Sequence, residues 1–93
     1  MPEIATIGVS RMIPRIREIK TMDKYKLYVI FDSDEHVIYD VEDDINTIDD
    51  FSLLKSESGL FENVALDPSR TCVYWTDRID LASDTILEFG KRV

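Results

Sequence analysis

The sequence predicts an α+β fold: a small, mostly antiparallel sheet built from hairpins, with two or three short helices. Three observations carry this. Apolar residues alternate on both sides of the polar link Ser33-Asp34-Glu35, they alternate again around Thr76-Asp77-Arg78, and the helical patterns elsewhere are short. At 93 residues the chain has the length of one domain with one core.

In chain order, residues 1–11 are weakly patterned and suit either a frayed arm or an edge strand. The run PRIREIKTM is ambiguous, because Ile13, Ile16 and Ile19 recur every third residue while Pro14 suits a helix start as well as a strand edge. From Tyr25 to Asp32 the alternation is regular: Tyr25, Leu27, Val29 and Phe31 share one face, and Lys26, Tyr28, Ile30 and Asp32 the other. HVIYDV resumes it with Val37, Tyr39 and Val41 together, so the two runs predict a hairpin.

EDDINTIDD is acidic and interrupted, and it predicts at best one helical turn. Asp50 is placed to cap a short helix over FSLLKSE, and a second turn is expected from Ser58, weakened by Gly59. NVALD reads as a strand with Val64 and Leu66 on one side, followed by a turn at Asp67-Pro68-Ser69. In TCVYW, Val73 and Trp75 oppose Cys72 and Tyr74, and IDL closes a second hairpin. SDTILEFGKR predicts a final helix, capped by Ser83 or Asp84 and ending at Gly90 with two cations.

Composition narrows the function classes. Hydrophobic residues at 44% and charged residues at 32% describe an ordinary globular chain. No apolar run approaches the roughly 18–20 residues of a membrane span, and the start lacks the pattern of a secretory signal. With a single cysteine, Cys72, no internal disulfide forms. These features predict a soluble, cytoplasmic protein with no membrane contact. A net charge of -8 disfavours nucleic acid, although residues 1–31 hold six basic and three acidic groups, leaving five basic and sixteen acidic beyond them. Opposite-charge pairs between neighbouring strands explain that asymmetry most simply; the other reading is a basic surface for an external anion.

Taken in order, PRIREIK, YKLYVIFD, YDV, LFENVALD and VYWTDRIDLASDTIL resemble the small, mostly bacterial family catalogued as domain of unknown function 2442, over roughly Met12 to Glu88. The resemblance implies an α+β fold and tips PRIREIK toward a strand. It implies that residues 1–11 are an extension ahead of a single domain over 12–93. It implies no established activity. Some relatives are fused to a helix-turn-helix DNA-binding domain or encoded beside another small protein, which points to a regulatory or partner-binding role; this chain ends at Val93 without room for such a domain. Where relatives often carry Asn-Gly after the Trp, Asp77-Arg78 stands here, so a wider or differently typed turn is expected.

Candidate sites are weighed against ordinary structural roles. Trp75, beside a turn, is expected to cover one end of the core with its N–H bonded to a carbonyl or water; its other reading is a partner-binding anchor. His36, the only histidine, follows Asp34 and Glu35 but lacks the convergent ligands of a metal site. The acidic clusters Asp32-Asp34-Glu35, Asp40-Glu42-Asp43-Asp44 and Asp49-Asp50 follow no calcium-loop pattern and read as caps and a solvated face. Cys72 reads as an inert thiol. No phosphate-binding glycine loop or nucleophile motif is present, so no cofactor is expected.

The favoured function is therefore a non-enzymatic protein-interaction or regulatory module that docks on another protein or on a second copy, through sheet edges that a partner strand extends. The alternative is nucleic-acid contact through Arg11, Arg15, Arg17 and Lys20. A metal-dependent hydrolase ranks last.

Overall fold

A computed structural model describes residues 13–93 of the chain; Arg11 and the rest of the expected extension 1–11 lie outside them. Among these described residues, two antiparallel sheets, of four and three strands, and three short helices make an α+β fold. The first sheet contains β1 (Ile16–Met22), β2 (Lys26–Phe31) and β3 (His36–Asp40), joined as successive hairpins. After β3 come α1 (Glu42–Thr47), a 3-10 turn at Asp49–Ser52, α2 (Leu53–Ser56) and a second 3-10 turn at Phe61–Asn63. The second sheet contains β4 (Ala65–Leu66), β5 (Cys72–Thr76) and β6 (Ile79–Ala82). Finally α3 (Ser83–Phe89) leads into β7 (Lys91–Arg92), which returns to the first sheet beside β3.

The alternation from Tyr25 to Val41 builds the inner face. Leu27, Val29, Phe31, Val37, Tyr39 and Val41 are all buried, and they join Val73, Trp75, Ile79 and Leu81 of the second sheet in one core. Ile45, Phe51, Leu54, Phe61 and Ile86 bring the helical segments into it. Helices this short gain little from their own hydrogen bonds, so these buried side chains are what hold them.

PRIREIK resolves as a strand, and its spacing of three has a specific cause. Ile16 pairs with Phe31 and Ile19 with Val29, three residues on β1 against two on β2, because a β-bulge at Arg17 inserts one residue. Ile16 and Ile19 therefore reach the same face in a strand, while Ile13 is 55% exposed.

Several local expectations are corrected. EDDINTIDD makes more than one turn, a six-residue helix, because Glu42, Asp43 and Asp44 occupy its first turn, where the helix dipole favours anions, and Ile45 is buried. Val41 holds the cap position with no side-chain cap bond, and Asp40 before it accepts the Glu42 N–H at 3.0 Å. Asp50 caps nothing, since it lies inside the 3-10 turn, whose Phe51 N–H bonds the Ile48 carbonyl at 3.0 Å. Neither Ser83 nor Asp84 caps α3. Ser83 is its first residue, fully buried, and its hydroxyl donates to the Pro14 carbonyl at 2.6 Å, tying the chain ahead of β1 to the start of α3.

The second hairpin keeps a two-residue loop, Asp77-Arg78, between paired Thr76 and Ile79, so it is not wider but differently typed. Neither loop residue has positive φ. A register irregularity between Tyr74 and Thr76 precedes the loop, the kind of feature that increases local twist.

Candidate functional site

The basic residues of the first strand fall among acidic partners. Arg17 bridges Asp34 of the β2–β3 turn at 2.8 Å, and Lys20 lies 3.8 Å from Glu18. Arg15 is exposed just ahead of β1, and its carbonyl accepts the Asp32 N–H at 2.8 Å. Trp75 is 8% exposed, and its indole N–H donates to the Phe61 carbonyl at 2.8 Å. Its ring stacks on Phe61 at 5.9 Å and meets Phe51 edge-on at 6.2 Å. Trp75 thus stands in the core on the second sheet, whereas Arg17 and Lys20 lie on β1 of the first and Arg15 just ahead of it.

The remaining candidates are also engaged. His36 Nδ1 and the Tyr28 hydroxyl are hydrogen-bonded at 2.7 Å. Asp44 accepts the Tyr39 hydroxyl at 2.6 Å, and burial, followed by this hydrogen bond, pushes the Tyr39 pKa well up and keeps the phenol protonated. Burial, then the charges of Asp80 and Asp67, raise the Cys72 thiol, so it lacks the thiolate character of a nucleophile. Among the described residues, no group of three or more His, Cys, Asp or Glu is placed to hold a metal ion, and no helix is long and apolar enough to cross a membrane.

A polar groove of about 680 Å³ opens between the β1–β2 turn and the segment after α2. Asp23, Glu57 and Glu62 share its rim with Lys24 and Lys55, a mixture that concentrates neither sign of charge. Its floor is structural: Tyr25, at φ 60, packs edge-on against Phe61 at 5.3 Å, while its carbonyl accepts the Val41 N–H at 2.9 Å. Lys55 lies over the Tyr25 ring at 5.4 Å and bonds Glu42 at 3.1 Å. Both of its favourable contacts are thus within the chain.

Sequence reasoning missed Arg70. It sits at φ 62 after the Asp67-Pro68-Ser69 turn and joins the two sheets. Its guanidinium grips both Asp32 oxygens at 2.7 and 2.9 Å and reaches the Ile16 carbonyl at 3.2 Å, while its own carbonyl accepts the Ile16 N–H at 2.7 Å. Nothing local signals this, because Asp32 is 38 residues away.

The Arg70 hydrogen bond, opposed in part by desolvation, lowers the Asp32 pKa below its ordinary value. A depressed carboxyl adds stability that is present above its unfolded pKa of about 4 and is lost as pH falls through the folded value. Thermal midpoints measured from neutral pH down to acid should therefore fall more steeply for the wild type than for Asp32→Asn, which carries no charge to lose. Parallel curves would show that this pair contributes nothing.

The remaining feature is the outer edge of β1. In the first sheet, ordered β1-β2-β3-β7, β1 is the longest strand and lies at the end. Among the described residues its outer side meets only Arg70, at Ile16; from Glu18 to Met22 no described residue pairs there. Such an edge presents a row of N–H and C=O groups ready to pair with an added strand. The opposite end is covered for part of its length by β7, which pairs with Val37 and Ile38.

No curated protein and no solved structure shows a significant match to the chain. A family model does match, and it spans residues 16–92, from the first residue of β1 to the last of β7. The chain accordingly belongs to the family described as protein of unknown function DUF2442.

Proposed function

We propose that this chain is a protein-interaction module that binds by strand addition at the outer edge of β1. One observation carries the reading: the five residues from Glu18 to Met22 run in regular register with β2 yet have no described partner on their other side. Main-chain bonds to an added strand supply affinity in this mode, and alternate side chains supply selectivity. The engaged His36, the protonated Tyr39 and the raised Cys72 thiol favour it over hydrolysis.

Ile19→Pro and Lys20→Pro test it as a pair. Successive residues of a strand direct their backbone groups to opposite edges, so one of the two prolines removes an outward N–H and spares the ladder with β2. The variant that keeps the wild-type circular dichroism and thermal midpoint should lose proteins that the tagged wild type captures from lysate at moderate salt. Retention of the same proteins by that folded variant overturns the reading. Absorbance of the same eluate tests nucleic-acid contact through Arg15, Arg17 and Lys20, which would be released as salt rises.

A further inference from the structure

We infer that the strand added to β1 is β1 of a second copy of this chain, antiparallel and related by a two-fold axis passing at Ile19. The inference rests on the strand-addition reading and names its partner. Its basis is the order of residues around that axis. Antiparallel pairing of Ile19 with Ile19 of the second copy sets Glu18 opposite Lys20 of the second copy, and Lys20 opposite its Glu18. Both cross-strand pairs are then of opposite charge, the favourable arrangement for directly facing residues.

The structure adds two reasons for these charges to look outward. Across β1–β2, Glu18 faces Ile30 and Lys20 faces Tyr28, so neither finds an opposite charge on its inner neighbour. Among the described residues their ion pair is with each other, at 3.8 Å, with side chains 50% and 68% exposed. From Glu18 to Lys20, where the two charge pairs form, the strand is past the bulge and in regular register with β2; the bulge at Arg17, opposite Thr21 of the second copy, and the Arg70 contacts at Ile16 bound the paired segment.

A lysine on an edge discourages arbitrary strands from docking. With a glutamate two residues away it admits a strand that presents the same charges in reverse order, which β1 itself does. Ile19 packs against the core as a partly buried residue, and pairing sets the two copies of it side by side on the inner face, extending the apolar layer across the axis. Closed two-fold symmetry uses up the free edge of both copies and stops further growth.

Sedimentation and light scattering at rising protein concentration test this directly. The wild type should approach twice the 10.8 kDa of one chain. Glu18→Lys alone and Lys20→Glu alone should each stay monomeric at the same concentration, because each places like charges opposite one another. An equimolar mixture of the two should recover the dimer, since one copy then offers two cations and the other two anions. A wild type that stays monomeric into the millimolar range, or a dimer that survives both reversals, overturns the inference. If the wild type is monomeric while the folded proline variant still loses a captured protein, strand addition stands and self-pairing alone is wrong. If the proline variant loses nothing and no dimer forms, both fail.

Discussion

Replacing Trp75 with Ala is expected to destabilise the chain by about 3–5 kcal/mol, the range for deleting a large aromatic ring from a core. Two losses combine. The ring leaves a hole between Phe51 and Phe61, its neighbours at 6.2 and 5.9 Å. The Phe61 carbonyl also loses the indole N–H that satisfies it in a buried place. In a chain of this length each kcal/mol corresponds to roughly 4–8 °C, so the thermal midpoint should drop by more than about 10 °C. Trp75→Phe separates the two losses: it fills most of the space but orphans the carbonyl, at a cost of about 1–3 kcal/mol. A Trp75→Ala variant within a few degrees of wild type would show that the ring is dispensable to the core.

Gly90→Ala is expected to be the next most damaging change, for a steric reason. Gly90 ends α3 in extended backbone, φ -77, so it does not need the left-handed conformation that a glycine after a helix often adopts. It is needed for closeness. A Cβ there would overlap the Val37 side chain and lie 2.5 Å from the Ile86 carbonyl oxygen and 3.2 Å from that of Ile38. Two of these three neighbours are backbone, so relief requires moving β7 away from β3, and overpacking of this kind costs about 1–3 kcal/mol. Gly59 is the contrasting case: its φ is +80 but nothing lies within 4 Å of the added carbon. Alanine there should cost only the left-handed strain, about 1–2 kcal/mol. Urea unfolding of the two variants checks the difference, and the Gly90 variant should also lose protection of the Lys91 and Arg92 amides while the Gly59 variant keeps it.

The strands with strict alternation were legible because period two needs no tertiary information. Leu27, Val29 and Phe31 lie inward, as do Val37 and Tyr39, as their spacing predicts. Trp75 was legible as a core ring because a large apolar side chain beside a turn covers a small core; of the two partners expected for its N–H, carbonyl or water, it finds the Phe61 carbonyl. The strand at Ile16–Met22 needed the family resemblance, because the bulge at Arg17 turns a period of two into an apparent period of three. The caps were misread for a related reason. Ser, Asp and Asn are favoured at many positions near a helix start, and which one bonds a free N–H depends on where the preceding strand delivers the chain. Here β3 delivers Asp40 to α1, and β6 runs straight into Ser83.

The candidate site was half legible. The basic run in PRIREIK drew attention to the strand whose edge is proposed here, but for its cations rather than its edge. Among the described strands its position at the end of the sheet goes with β7 pairing to β3 instead of to β1, through two residues at the far end of the sequence. Arg70 was invisible because a bidentate grip between a turn and a strand end leaves no periodic trace.

Amide hydrogen exchange in dilute solution reads residue by residue whether the outer edge of β1 is open to an added strand. Between Glu18 and Met22, amides directed at β2 should exchange slowly and those directed outward should exchange quickly, since exposed, unpaired backbone groups open at almost no free-energy cost. The fast set should become protected as the protein is concentrated or its partner is added. Slow exchange of both sets in the dilute monomer would contradict strand addition at β1, because the edge would then already be covered.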